Sequence, residues 1–451
     1  MRAKHSNRPG GHDARRIYRR VTLRIMPLLE IAFVVSVMDR INVGFAHLNM
    51  KTDLGFSDAV YGLSAGIFFI GYLLFEVPSN ALLQRIGAKK TFTRILLSWG
   101  LASVATAFVT QPWMFYSLRF LLGVFEAGFF PGIILYLSYW YPSYLRASIT
   151  SWIFAAATLA GMVSGLASGS VMTLMNAFAG LHGWQWLFIV EGTPAIVLGV
   201  AFLFCLDDGP ASAQWLSETD KHFIQSELDN ERVSSEIGQP DGESVLTLLK
   251  RPPIQALCFV YFALIGASMA LNFWVPTLIR DAGGTNLVNI GLLAAIPYAV
   301  ATVALVLLAR YSDARGEPGR YLFVTTLAGC FPLLAIALMP MGITWTVISL
   351  TFAVVLTFAP LPLFWAIPHV YLSRESAAKG FALISSVGQL GGFFTPTLIG
   401  WMRTRHDGTG LPILIIAAIL AAGALMVPVL LRHRGKAQNR AHRVTPGTPV
   451  G

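Results

Sequence analysis

Charge is scarce in this sequence. Only 12% of the 451 residues are Asp, Glu, Lys or Arg, roughly half the share of an ordinary soluble domain. Hydrophobic residues make up 55%, and the mean hydropathy is +0.61. A water-soluble fold of this composition would expose far too much apolar surface, which excludes a soluble enzyme. Cysteine is nearly absent as well. Cys205, Cys258 and Cys330 fall at distant points in apolar stretches, so neither a disulfide framework nor a metal cluster has its residues, and each reads as a packing residue. No Gly-x4-Gly-Lys-Ser/Thr loop is present to cradle phosphates, which argues against direct ATP drive. No nucleophile, metal-ligand set or cofactor motif is gathered in one place, so the expectation is a protein that is no enzyme and carries no cofactor or metal. There is no Asn-x-Ser/Thr acceptor, and no cleavable signal is evident, because the polar basic start runs into an apolar stretch too long for one.

Long apolar runs are what the sequence has in abundance. A helix needs roughly 20 such residues to cross a bilayer core. Twelve runs qualify: 22–48, 59–83, 91–110, 113–139, 147–175, 186–206, 254–279, 288–309, 321–340, 343–371, 379–402 and 411–431. Most contain Gly or Pro, which membrane helices tolerate because their neighbours satisfy the freed backbone groups. The expected fold is an all-α membrane protein of two six-helix halves, and not a β-barrel.

The net charge of +10 raises the question of nucleic acid, but the distribution answers it. Of 33 basic residues, only Lys51, Arg280, Arg403 and Arg405 sit on odd-numbered loops and their edges. Arg40 and Arg119 lie inside spans, and all others flank the even-numbered loops or the ends. This asymmetry predicts two cytoplasmic termini and a lipid bilayer, not nucleic acid, as the partner. The organisation follows: a tail over 1–21, a first half over 22–206, a cytoplasmic linker over 207–253, a second half over 254–431 and a tail over 432–451. Within the linker, Ser217 ahead of Glu218 and Asp220 predicts a capped amphipathic helix that buries Phe223, Ile224 and Leu228.

One internal repeat survives. NALLQRIGAKK, Asn80 to Lys90, follows the second span, and ARYSDARGEPGR, Ala309 to Arg320, follows the eighth. Each is a tight basic turn at the equivalent place in its half.

Charges inside the apolar runs are the main functional clue, because each costs roughly 2.5–3.5 kcal/mol at the membrane centre. The first span carries Asp39 and Arg40 in VVSVMDRINVGFA, and the fourth carries Arg119 and Glu126 in SLRFLLGVFEAGFFPG. Arg119 and Glu126 are two helical turns apart, so they share a face about 10 Å apart. The plain alternative is that the four residues merely pair across the first and fourth helices. Guanidinium matches a carboxylate bidentately, and acids beside arginines give sites whose charge can be coupled to an anion. Arg40 and Arg119 are therefore expected to bind an organic carboxylate, and Asp39 and Glu126 to carry protons. Glu76, near the end of the second span, is expected to pair with a basic loop residue as part of a gate. Glu191 reads as a helix-end residue. Glu30 is half a turn out of phase with Asp39 and stays unassigned.

The chain resembles the major facilitator superfamily, whose halves carry a loop motif Gly-x3-Asp-Arg-x-Gly-x-Arg/Lys-Arg/Lys after spans two and eight. Arg85, Gly87, Lys89 and Lys90 match it, while Asn80 and Gln84 depart. The second copy keeps Asp313, followed by Ala314 and Arg315. Within the superfamily the chain is similar to the anion:cation symporter group of organic-acid permeases for tartrate, phthalate and hexonates. The carrying stretches are DRINVGFA from Asp39, GYLLFEVPSN from Gly71, RFLLGVFEAGFFPG from Arg119, and FWAIPHVYLSRESAAKGFALISSVGQLGGFFTPTLIG from Phe364. This resemblance implies a monomeric secondary transporter of the bacterial inner membrane, working by alternating access as a proton symporter, with export, exchange or anion sensing as alternatives. It also implies Tyr72 as a substrate contact. Trp365 is an expected ring wall on the opposite half, with a packing role as its alternative. Ser385 and Gln389 stand where the group commonly has Asn. His369 reads as a packing histidine.

Overall fold

The computed structural model describes residues 11–444 apart from 237–243, 316, 341, 369–370, 373–375 and 407, and the described residues contain no strand. Twelve long helices run antiparallel in sequence. In the first half these are α1 (Ala14–Asp53), α2 (Asp58–Ile86), α3 (Ala88–Thr106), α4 (Pro112–Trp140), α5 (Ser143–Leu174) and α6 (Gly183–Cys205). In the second they are α7 (Pro252–Asp281), α8 (Leu287–Ser312), α9 (Pro318–Leu338), α10 (Ile343–Trp365), α11 (Lys379–Arg405) and α12 (Gly410–Leu431). Eleven are long and apolar enough to span a membrane. The exception, α3, has 19 residues and begins with Lys89, Lys90 and Arg94. Those three cations in so short a helix interrupt its apolar run, and further along Trp99 and Ser103 are turned toward the buried charges described below.

Two helices are irregular near the buried charges. The α1 helix has a single turn residue at Asn42, whose backbone stays helical, and α4 is interrupted at Ala127 and Gly128. Gly128 takes φ 83°, a left-handed conformation that a side chain disfavours, and a Cβ there would lie 2.6 Å from that of Ser79. The helical tract at the N-terminal end begins at Gly11, inside what reads as a tail, and the last helix continues to Val444. The linker helix forms over Glu218–Glu236. Ser217 Oγ accepts from the Asp220 N–H at 3.2 Å, and Ile224 and Leu228 are buried, with Phe223 against the Tyr18 ring at 6.3 Å.

The two halves meet along α2 with α11 and along α5 with α8. The closest approaches lie toward the end of the bundle away from the termini. A Cβ on Gly62 would come within 2.9 Å of Gly400 Cα, and one on Gly165 within 2.8 Å of Gly291 O. Small residues allow backbones to touch in this way, which is how apolar helices associate without a hydrophobic driving force. Glycines nearer the termini, namely Gly87, Gly128, Gly319 and Gly380, pack inside their own half. The halves are therefore zipped at the far end.

Ion pairs reinforce the zipped end. Asp58 at the start of α2 takes Arg403 Nε from α11 at 3.2 Å, His47 Nε2 at 2.8 Å and Lys51 Nζ at 3.1 Å. Arg403 also reaches Asp281 of α7 at 2.7 Å and lies 5.4 Å from the Trp274 ring. Tyr61 donates to the Phe273 carbonyl and Arg280 to the Leu48 carbonyl, both across the halves. Two of the four basic residues that the sequence places on odd loops, Arg280 and Arg403, thus staple the halves together, and Lys51 supports Asp58 from within the first half. Breaking a buried pair by removing one partner costs about 3–5 kcal/mol. Arg403→Ala should shift the balance toward opening of this end by at least about 100-fold, visible as longer spin-label distances between the ends of α2 and α11. An unchanged distance distribution would remove the staple from the account.

Candidate substrate and coupling site

Arg40 and Glu126 form an ion pair between α1 and α4. Ser36, one turn before Arg40, donates its hydroxyl to Glu126 Oε1 at 2.6 Å. Glu126 is the last helical residue before the break in α4, and it is fully buried. Its Oε2 and Arg40 Nε have no hydrogen-bond partner, so the pair is closed through one oxygen of the carboxylate and leaves donor and acceptor capacity unused. Part of the plain cross-helix alternative is therefore correct: these two residues do pair.

Arg119 is different. It is 1% exposed, yet no carboxylate lies within hydrogen-bond reach of it. Its Nε faces the Ser64 carbonyl and one terminal nitrogen faces the Arg40 carbonyl, both at 3.4 Å. Its guanidinium carbon is 5.4 Å from the Phe68 ring centre, and that of Arg40 is 5.0 Å from the same ring and 5.7 Å from Tyr72. Two guanidinium groups thus share one aromatic face. A buried cation held only by carbonyl dipoles and ring faces keeps its capacity for a bidentate anion.

Asp39 lies on the opposite side of this cluster, 1% exposed. It accepts from the Trp99 indole and the Ser103 hydroxyl, both on α3, and from Asn42 Nδ2 at 3.2 Å. All three donors are neutral, and Arg119 and Glu126 act on it only through space. The four charges on α1 and α4 are therefore one electrostatic group but not one hydrogen-bonded network.

The second half contributes an aromatic and polar wall. Trp365 lies 4.9 Å from Tyr261 and 5.7 Å from Phe381, ring to ring, so it packs in an aromatic stack in keeping with either expected role. Gly392 of α11 meets the Phe69 ring of α2. Ser385 and Gln389, seven and three residues earlier, share that face of the helix. Both are half-buried and make no side-chain hydrogen bond among the described residues. Asn272 of α7, bonded to the Tyr298 hydroxyl at 2.8 Å, belongs to the same depth and was not legible in the sequence, where a single Asn in an apolar run carries no partner with it. Ser36, Asn42, Trp99, Ser103 and Phe68 escaped notice for the same reason.

Several expectations need correction. Glu76 pairs with no basic loop residue among the described residues; it is half-buried and acts electrostatically on Tyr72 and Tyr261 instead, because the loop cations point outward. Glu191 is not at a helix end: it sits within α6, 5% exposed, and accepts from Ser168 of α5 at 2.8 Å. Cys205 is exposed, being the last residue of its helix. In the first loop motif Gly87 takes φ 91°, the Lys89 N–H donates to Asp208 Oδ1 at 2.9 Å, and Arg85 and Lys90 are exposed. The contact stays within the first half, as the open termini end requires. In the second copy Arg315 covers the Tyr311 ring at 4.3 Å, while the Asp313 side chain and His369 fall outside the described residues.

The profile of the Major Facilitator Superfamily matches residues 29–396. A protein of Agrobacterium vitis named for tartrate transport is 40% identical over 92% of this chain and 95% of its own length. The metabolite transport protein NicT of Pseudomonas putida is 36% identical over 93% and 95%. A quinolone resistance transporter of Acinetobacter baumannii is 37% identical over 92% and 94%. Among solved structures, a bacterial homologue of the lysosomal transporter Spinster superposes with a TM-score of 0.73 at 16% identity, over 90% of this chain and 96% of that one. A D-xylose–proton symporter gives 0.71 at 13%, over 90% and 97%. The chain belongs to the major facilitator superfamily, as an integral membrane transporter and not an enzyme.

Proposed function

We propose that the protein is a proton-coupled symporter that takes up a small organic carboxylate. The observation that carries this reading is Arg119, a buried guanidinium without a carboxylate partner, set beside an Arg40 whose own acid engages it through a single oxygen. An incoming carboxylate takes Arg119 bidentately and competes with Glu126 for Arg40. Protonation of Glu126 then frees Arg40 for the substrate, and Asp39, held by neutral donors, supplies the second protonatable group. Tyr72 borders the anion, while Trp365, Ser385 and Gln389 read the rest of the molecule from the second half. The tartrate-named relatives support a carboxylate cargo.

The excess of basic residues on the even loops and ends supports cytoplasmic termini in a bacterial inner membrane. In that orientation the zipped end is periplasmic, the conformation is inward-open, and Glu76 with the loop residues Arg85, Gly87, Lys89, Lys90, Asp313 and Arg315 belongs to the cytoplasmic gate that closes in the other state. A monomer suffices for this mechanism. Export or exchange is the second reading, favoured by the relative named for quinolone resistance; the same fold runs either way as the gradients dictate.

In proteoliposomes, tartrate and related acids should accumulate unchanged when the outside is acidified relative to the inside. Replacing Arg119 by Ala removes the unpartnered cation and should lower binding by about 100-fold or more, the scale of about 3 kcal/mol for a buried charge contact; full uptake by a well-expressed Arg119→Ala protein would falsify the anion site. Glu126→Gln, which mimics the protonated acid, should retain exchange of labelled for unlabelled substrate while losing accumulation driven by the pH gradient. Accumulation that persists in this variant would move the coupling role away from Glu126.

A further inference from the structure

The buried charges of the first half do not balance. Apart from Asp58, which Lys51 and Arg403 answer at the zipped end, Asp39, Glu126 and Glu191 supply three carboxylates to the core, and the buried Arg119 and half-buried Arg40 supply two guanidiniums. Glu126 is neutralised by Arg40, and Asp39 is surrounded by three neutral donors within range of Arg119. The carboxylate left without a cation is Glu191. It is 5% exposed, holds one hydroxyl contact, from Ser168 at 2.8 Å, and its Oε2 receives no donor.

Asn42 lies between the two acids. Its Nδ2 donates to Asp39 Oδ1 at 3.2 Å, its side-chain amide is also a polar neighbour of the Glu191 carboxylate, and its Oδ1, in a residue with no exposed surface, receives no donor among the described residues. Two acceptor oxygens are thus buried and unsatisfied next to a carboxylate that is short of a cation. Leaving such groups bare inside a protein is costly. Among the described residues, the elements packed around Glu191 offer no positive side chain. From α5 come the hydroxyls of Ser164 and Ser168, joined at 3.3 Å, from α3 comes Ser103, which flanks Gly192, and from α1 come Asp39 and Asn42. Asp39 is the titratable group among them and is itself acidic.

We infer that Glu191, with the Asn42 side-chain oxygen and Asp39, forms a binding site for one monovalent cation, H⁺ or Na⁺, separate from the Arg40–Glu126 pair. Hard oxygen donors of this kind suit a small unpolarisable cation. The site deepens the symport reading, on which it rests: its cation restores neutrality in the core and travels as a second coupling ion. Because Asn42 lies two residues after Arg40 on α1, occupancy acts on the same helix that carries Arg40.

Infrared difference spectroscopy on the purified full-length protein separates the sources without a substrate. Spectra are taken between acidic and neutral pH in choline chloride, and between sodium and choline chloride at fixed pH. A proton site gives a protonated-carboxyl band in the pH difference that is lost in Glu191→Gln and shifted, not lost, in Glu191→Asp; a sodium site gives carboxylate band changes in the salt difference with the same pattern. Asn42→Ala should weaken whichever response appears. Difference spectra of Glu191→Gln identical to the parent's in both experiments overturn the inference. The aspartate variant keeps the test decisive if the glutamine variant does not fold. Failure of the anion reading would instead appear as undiminished transport by Arg119→Ala with the Glu191 bands intact.

Discussion

A charge that cannot reach water must be answered by something within a few ångströms, and the first half of this protein is organised around that requirement. All six helices of that half supply either the five ionisable side chains or their partners. Two of those side chains answer each other directly, as Arg40 and Glu126. Asp39 is answered by dipoles from α3, Arg119 by carbonyls, and Glu191 by a serine hydroxyl. Neutral dipoles stabilise an ion less than a counter-ion does, so these last three are the groups whose energy changes most when an anion or cation arrives. The irregularities of α1 and α4 lie beside these groups, and α3 supplies two of the partners.

Among the described residues, the second half carries no comparable buried charge. Its contribution is shape and neutral hydrogen bonding: the Tyr261, Phe364, Trp365 and Phe381 rings and the unengaged groups of Ser385 and Gln389. In the proposed mechanism, charge binding on one side and shape reading on the other divide the labour, so that the anion is held by one half while the other rocks over it. The division also suits a family whose members are named for different cargoes, because the reading half can change without disturbing the charge balance.

The twelve helices and their alternation were legible in the sequence, because apolar length is a local property and needs no knowledge of neighbours. The same holds for Asp39, Arg40, Arg119 and Glu126, which stand out as charges in apolar runs. What was not legible depends on which helix faces which. Glu191 lies only eight residues after Gly183 opens α6, which gives it the look of a terminal residue; its burial arises from the adjacent α5 and from α1 and α3, which lie far away in the chain. Glu76 was assigned to the nearest cations in sequence, whereas its neighbours in space are two tyrosines. Arg403 and Arg280 served the sequence reading as orientation markers, and only the contact of α11 with α2 and of α7 with α1 gives them a structural task.

The cross-half bonds of Tyr61 and Arg280 both end on main-chain carbonyls, at Phe273 and Leu48. A latch of this type recognises the path of the opposing helix and not the identity of its side chains. The bonds themselves ask nothing of the Phe273 and Leu48 side chains, which are held by packing instead, whereas they require a hydroxyl at Tyr61 and a guanidinium at Arg280. The joint is thus keyed to the course of a helix and not to its chemistry.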